Sequence, residues 1–102
     1  MMTFVELEKA VISWGTKRDI FKKSKPLHQH RKLSEELDEL YVALATNDKK
    51  ESLDAIGDMM VVLTMIAKML NTNLTTCYQI AYDEIKDRKG TMVNGEFVKE
   101  RS

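Results

Sequence analysis

SEELDELYVAL, Ser34–Leu44, sets four carboxylates among leucines. Leu37, Leu40 and Leu44, continued backwards by Leu33, recur at the three- and four-residue intervals of a helix face rather than the alternation of a strand. At about 100° per residue, Glu36 and Glu39 fall on one flank of that stripe, roughly 60° apart, with Ala43 between them and Asp38 on the far side. Two carboxylates spaced i and i+3 can share one small cation.

Downstream, DAIGDMMVVL (Asp54–Leu63) continues the pattern. Asp54 and Asp58 are four residues apart, about 40° around a helix, and Glu51 lies on the same side. Val61, Val62, Met65 and Met69 extend that edge, while Ile56, Met60, Leu63 and Ala67 make the opposite side apolar as well. A helix wet on almost no face must aim its acids at another element, where carboxylates are costly unless protonated, paired or bound to a cation. Any one of these acids is explained as a solvated rim or a favourable charge at a helix start. Two pairs on consecutive antiparallel helices, each beside the apolar seam, favour a shared metal site. All-oxygen donors, with no supporting Cys or His, suit Mg²⁺ or Mn²⁺; neither His28 nor His30 is assigned a metal role.

The remaining chain reads as helical with one exception. Thr3 and Glu6 form a capping-box pair ahead of Phe4, Leu7, Val11 and Trp14, so a first helix is expected to end near Gly15. Thr16–Lys25 shows no period and reads as a loop, with Ser24 as cap and Pro26 in the first turn of a second helix running to about Thr46. A third helix spans roughly Glu51–Leu70, and Asn73 caps a fourth over about Leu74–Lys89, stopped by Gly90. In TMVNGEFVKE the Asn94-Gly95 pair, flanked by β-formers, predicts a type I′ hairpin over about residues 91–99. The expected organisation is a single all-α domain over residues 1–102 with this small hairpin at its end.

Composition narrows the function. Sixteen Lys and Arg balance sixteen Asp and Glu, so no global field favours nucleic acid or an anionic membrane. The cation-rich segment Lys17–Lys32 contains only Phe21 as an interleaved aromatic and abuts the acidic cluster, which argues against a nucleic-acid partner. The longest apolar run, Met59–Leu63, is far too short to span a bilayer, and Cys77 alone makes no intrachain disulfide. A cytoplasmic location is the expectation. At 102 residues the buried fraction is modest, and the first and third helices carry more apolar surface than one small monomer covers, so at least a dimer is expected.

These residues resemble a family. EELDE (Glu35–Glu39) is similar to the EExxE element of the MazG-like all-α nucleoside triphosphate pyrophosphohydrolases, and DAIGDMMVVL to their second acidic element ahead of an apolar run. From Trp14 onward the chain looks like their short single-domain members. The resemblance implies a four-helix bundle completed by homodimerisation, sometimes extended to a tetramer, and Mg²⁺-dependent hydrolysis of a nucleoside triphosphate to monophosphate and pyrophosphate. It implies Glu36, Glu39 and Asp58 as metal ligands and Glu35 as a supporting acid, placed to accept the proton of the attacking water, or a ligand of a second metal. The second element usually reads ExxD, which would place Glu at 55; Ala55 stands there, and Asp54 is expected to substitute. Lys17, Arg18, Lys86 and Arg88 are the candidate phosphate contacts and Trp14 the candidate base-stacking residue. The rival readings are a related phosphoribosyl-ATP pyrophosphohydrolase or dUTPase-like enzyme, and a non-catalytic dimeric helical module.

Overall fold

Three of the five helices begin where a side chain accepts a free amide of the first turn. Thr3 and Glu6 exchange both bonds of a capping box, Glu6 N–H donating to Thr3 Oγ1 at 3.2 Å and Thr3 N–H to Glu6 Oε1 at 2.9 Å. This opens α1 (Phe4–Lys17). Asp48 Oδ1 accepts from Glu51 N–H at 3.0 Å to start α4 (Lys49–Met69), and Asn73 Oδ1 accepts from Thr76 N–H at 2.7 Å to start α5 (Leu74–Ile85). The computed structural model describes residues 1–100; between α1 and α4 lie α2 (Ile20–Lys23) and α3 (Pro26–Ala45), and after α5 come β1 (Gly90–Val93) and β2 (Glu96–Lys99). All-α with a C-terminal hairpin is therefore the observed class.

Three expectations need correction. The segment read as a loop contains the short helix α2, entered through Asp19 in the left-handed region at φ 59°, a turn that lacks the Gly signal usually sought. Ser24 does not cap α3. Lys25 occupies that position with no side-chain bond, and Ser24 Oγ accepts instead from Gln29 Nε2 at 3.0 Å. The last helix stops at Ile85, four residues before the expected Lys89.

The dominant packing is α3 against α4, joined by Thr46–Asp48. Asn47 takes φ 57° and Asp48 N–H donates back to Ala43 O at 2.9 Å, which turns the chain tightly and makes the two helices antiparallel neighbours. Their core is thin: Ala43, Ala55, Val62, Met65 and Ala67 are its buried apolar residues. Met65 is the deepest, 1% exposed, and α1 approaches it so closely that a Cβ on Gly15 would lie 2.8 Å from its sulfur. Glu8 is buried on the same side of α1 and ties in α5, accepting from Thr75 N–H and Oγ1, each at 3.2 Å.

Helix rotation differs from the sequence reading. On α3 the inward face is Glu36 and Ala43, with Leu33 and Leu40 half-buried, while Leu37 and Leu44 of the leucine stripe are exposed. On α1 the inward residues are Glu8 and Gly15; Phe4, Leu7 and Trp14 are 40–47% exposed, and the first two line an apolar cavity of about 340 Å³ against Met60 and Val61 of α4. The hairpin turns on Asn94 (φ 51°) and Gly95 (φ 83°), the pair of positive φ angles a type I′ turn requires, and pairs Met92 with Phe97 and Val93 with Glu96.

Candidate metal centre

Glu36 and Glu39 leave α3 one turn apart, and Asp58 faces them from α4. One carboxylate oxygen from each lies within 4.8 Å of the others, a separation a single cation can bridge. The three differ in environment. Glu36 is 4% exposed, whereas Glu39 and Asp58 are open to a cavity of about 520 Å³ between the helices.

Charge is poorly balanced there. Lys32 Nζ reaches Glu36 Oε1 at 3.3 Å and Glu35 Oε2 at 3.6 Å, and the Glu36 carboxylate holds the Lys32 amine above its ordinary pKa. Glu36 Oε2 is buried with no hydrogen-bond donor. A buried acceptor left in this state is expensive. A proton that Glu39 can share with Glu36, then the negative charge of Glu36, push Glu39 above the ordinary carboxylate pKa; Asp58 adds to the shift and Lys32 opposes it. Two things relieve such a group: a proton shared between the glutamates, or a cation among all three oxygens. The donor set, carboxylate oxygens alone, fits Mg²⁺ or Mn²⁺.

The cavity extends the acidic field. Asp38, Asp48, Glu51 and Asp54 line it with Glu39 and Asp58, and no cationic side chain joins them. Asp54 thus sits beside the three-carboxylate cluster rather than within it. Asp38, expected on the far side of α3, faces the cavity. The reason is the rotation described above: when Ala43 rather than Leu44 faces inward, Asp38 and Val42 swing to the cavity wall. Asp48 was not singled out in the sequence, because its place at the rim depends on the tight α3–α4 turn.

The other candidate residues lie elsewhere. Glu35 is exposed and paired with Lys32, outside the cluster. Trp14 is 45% exposed, with the Arg18 guanidinium 4.3 Å from the centroid of its ring and Arg18 Nη1 donating to Trp14 O at 3.2 Å. That stack forms one exposed platform at the end of α1, beside exposed Lys17. Lys86 pairs with Asp83 at 3.6 Å, and Arg88 follows α5, its N–H donating to Ile85 O. None of Trp14, Lys17, Arg18, Lys86 and Arg88 lines the acidic cavity of this chain.

A helical scaffold offering carboxylates from two antiparallel helices is an arrangement able to hold a divalent metal ion. A family model for phosphoribosyl-ATP pyrophosphohydrolase matches residues 7–87, and the chain belongs to that family, a branch of the MazG-like all-α nucleoside triphosphate pyrophosphohydrolase superfamily. The matched span contains the whole acidic centre and ends before the hairpin. No curated protein and no solved structure matches the chain. Pyrophosphohydrolase chemistry is the activity the family points to, and its members typically depend on a divalent metal.

Proposed function

We propose that this protein is a Mg²⁺-dependent pyrophosphohydrolase that cleaves a nucleoside triphosphate, or a base-modified one such as phosphoribosyl-ATP, to the monophosphate and pyrophosphate, and that it acts as a homodimer. The observation that carries the reading is the buried, donorless Glu36 Oε2 inside a three-carboxylate cluster at the edge of a cavity whose charged lining residues are all acidic. A bare triphosphate would be repelled there. A metal-bound triphosphate would not, because the cation neutralises both the carboxylates and the phosphate oxygens.

Glu36, Glu39 and Asp58 would hold the metal, and Asp54, on the wall of the same cavity, is placed to join it or to orient water. When bound, Mg²⁺ supplies charge neutralisation at the phosphates and lowers the pKa of attacking water. Ionised Glu39 is a requirement of this arrangement, so loading the site displaces the proton that its raised pKa favours. Glu35 would reach the substrate only by leaving Lys32, which makes it a second choice as proton acceptor after Asp54.

The decisive assay measures pyrophosphate and phosphate release from a panel of NTPs, dNTPs and phosphoribosyl-ATP, with Mg²⁺, with EDTA and with Glu39→Gln. Pyrophosphate appearing only with metal and wild-type Glu39 is the expected result, and the panel names the substrate. A folded, metal-supplied protein silent on every nucleotide would return the reading to a non-catalytic helical module.

A further inference from the structure

The hairpin lies beyond the residues that the family match reaches. Every residue of β1 and β2 is exposed. Its two faces are both partly apolar: Met92 and Phe97 are cross-strand partners on one, with the Phe97 ring over the space where Gly90 lacks a Cβ, and Val93 and Val98 lie on the other. These four side chains are 48–66% exposed. A two-stranded hairpin alone is at best marginally stable in water, and one with apolar side chains on both faces and two open edges needs a surface to lie against.

The size of the uncovered surface says what that surface belongs to. A folded monomer of this mass exposes about 5,900 Å² by the usual scaling. This chain exposes 8433 Å², an excess of about 2,500 Å² over that scaling. Its radius of gyration is 16.1 Å, against about 12.8 Å for a compact domain of this length. Burying the excess on two chains removes an area at the upper end of the obligate-homodimer range. One further copy of the same chain is thus enough to cover it, including exposed Leu37 and Tyr41 on α3.

We propose that residues 90–99 form a dimerisation arm: the hairpin leaves its own protomer and packs its apolar side chains on a second copy of this chain. The arm rests on the homodimer of the preceding reading and is independent of its chemistry. It accounts for a hairpin with a well-specified turn and register whose strand residues are all exposed on their own protomer.

Two full-length variants test it, Met92→Glu with Phe97→Glu, and Met92→Leu with Phe97→Leu as the apolar control. Neither pair is buried within one protomer, so helical circular dichroism is expected to be unchanged in both. Sedimentation equilibrium is expected to give a wild-type dimer, a dissociation constant raised at least a hundredfold by the Glu pair, and less than tenfold by the Leu pair. Hydrogen exchange is expected to show the 90–99 amides protected above the dissociation constant and unprotected after dilution below it. A wild-type dimer left intact by the Glu pair overturns the arm while leaving the dimer standing; a monomeric wild type overturns both. Protection of the hairpin that persists on dilution assigns it to its own protomer, and exchange that is fast at every concentration shows it packed on neither copy, and each overturns the proposal. Nucleotide turnover is read separately and bears on the chemistry alone.

Discussion

Glu36 holds a carboxylate 4% exposed whose only ion partner is Lys32, on one of its two oxygens. Replacing it with Gln removes a buried charge and the repulsion on Glu39, so in EDTA the variant is expected to be as stable as wild type or more so. With Mg²⁺ the order reverses: turnover is expected to fall about 100-fold or more, and the metal-induced rise in melting temperature to vanish. Thermal melts and initial rates on the same preparation check both halves; equal Mg²⁺ stabilisation of the two proteins would remove Glu36 from the centre. Glu39 adds a pH dependence with a definite sign. Its raised pKa means the folded state binds the proton more tightly than the unfolded chain, so its contribution to stability is complete below the unfolded carboxylate value and is lost as pH rises through the raised folded value. In EDTA, the stability difference between wild type and Glu39→Gln is expected to shift against wild type over that interval. Mg²⁺, which needs the ionised carboxylates, is expected to stabilise wild type increasingly over the same pH range. A wild-type minus Gln difference flat across it would contradict the shared-proton description of the apo site.

At the scale of elements, the acidic centre depends on α3 and α4 keeping their rotation, and the lock on that rotation lies two turns away. Met65 fills the gap between α4, the Gly15 backbone of α1 and the ring of Phe21 on α2. Met65→Ala is expected to cost about 2–5 kcal/mol by urea denaturation, with accompanying loss of metal affinity. A loss under about 1 kcal/mol would mean that the helices collapse around the deletion and that α1 is not braced there. Glu8 does similar work for α5, because its carboxylate accepts from the first turn of that helix at Thr75. Glu8→Ala is expected to destabilise by about 1–3 kcal/mol, and early hydrogen exchange should appear in α5 before α3 and α4. Uniform exchange across all helices would show that α5 does not depend on this bond.

At the scale of the whole molecule, one chain leaves a wide apolar surface uncovered, which supports the proposed homodimer. Leu37, Tyr41, Leu53, Ile56, Tyr78 and Ile80 are each 48–73% exposed, far more apolar surface than isolated surface residues produce. Light scattering at micromolar concentration is expected to report at least twice the 11.8 kDa chain mass. A monomer there would leave the acidic cavity without any source of cationic residues beyond the metal, since the lining side chains of one chain supply none. Among the described residues no helix is long and apolar enough to cross a membrane, in line with the short apolar runs.

The sequence by itself determined the helical character of the four long segments, the capping box of α1, the Asn73 cap of α5, the Asn94-Gly95 turn and the placing of Glu36 and Glu39 on one flank of α3. Each of these depends on interactions within one turn of helix or one hairpin, and residue identity at fixed spacing suffices to read them. Tertiary structure alone decided the rotation of α1 and α3, which turned Leu37 and Leu44 outward and brought Asp38 to the cavity wall, and the separation of Trp14, Lys17, Arg18, Lys86 and Arg88 from it. A helix with apolar residues on more than one side has several faces it can bury at similar cost, and the choice rests on how residues distant in sequence, such as Gly15 with Met65 and Glu8 with Thr75, fit together.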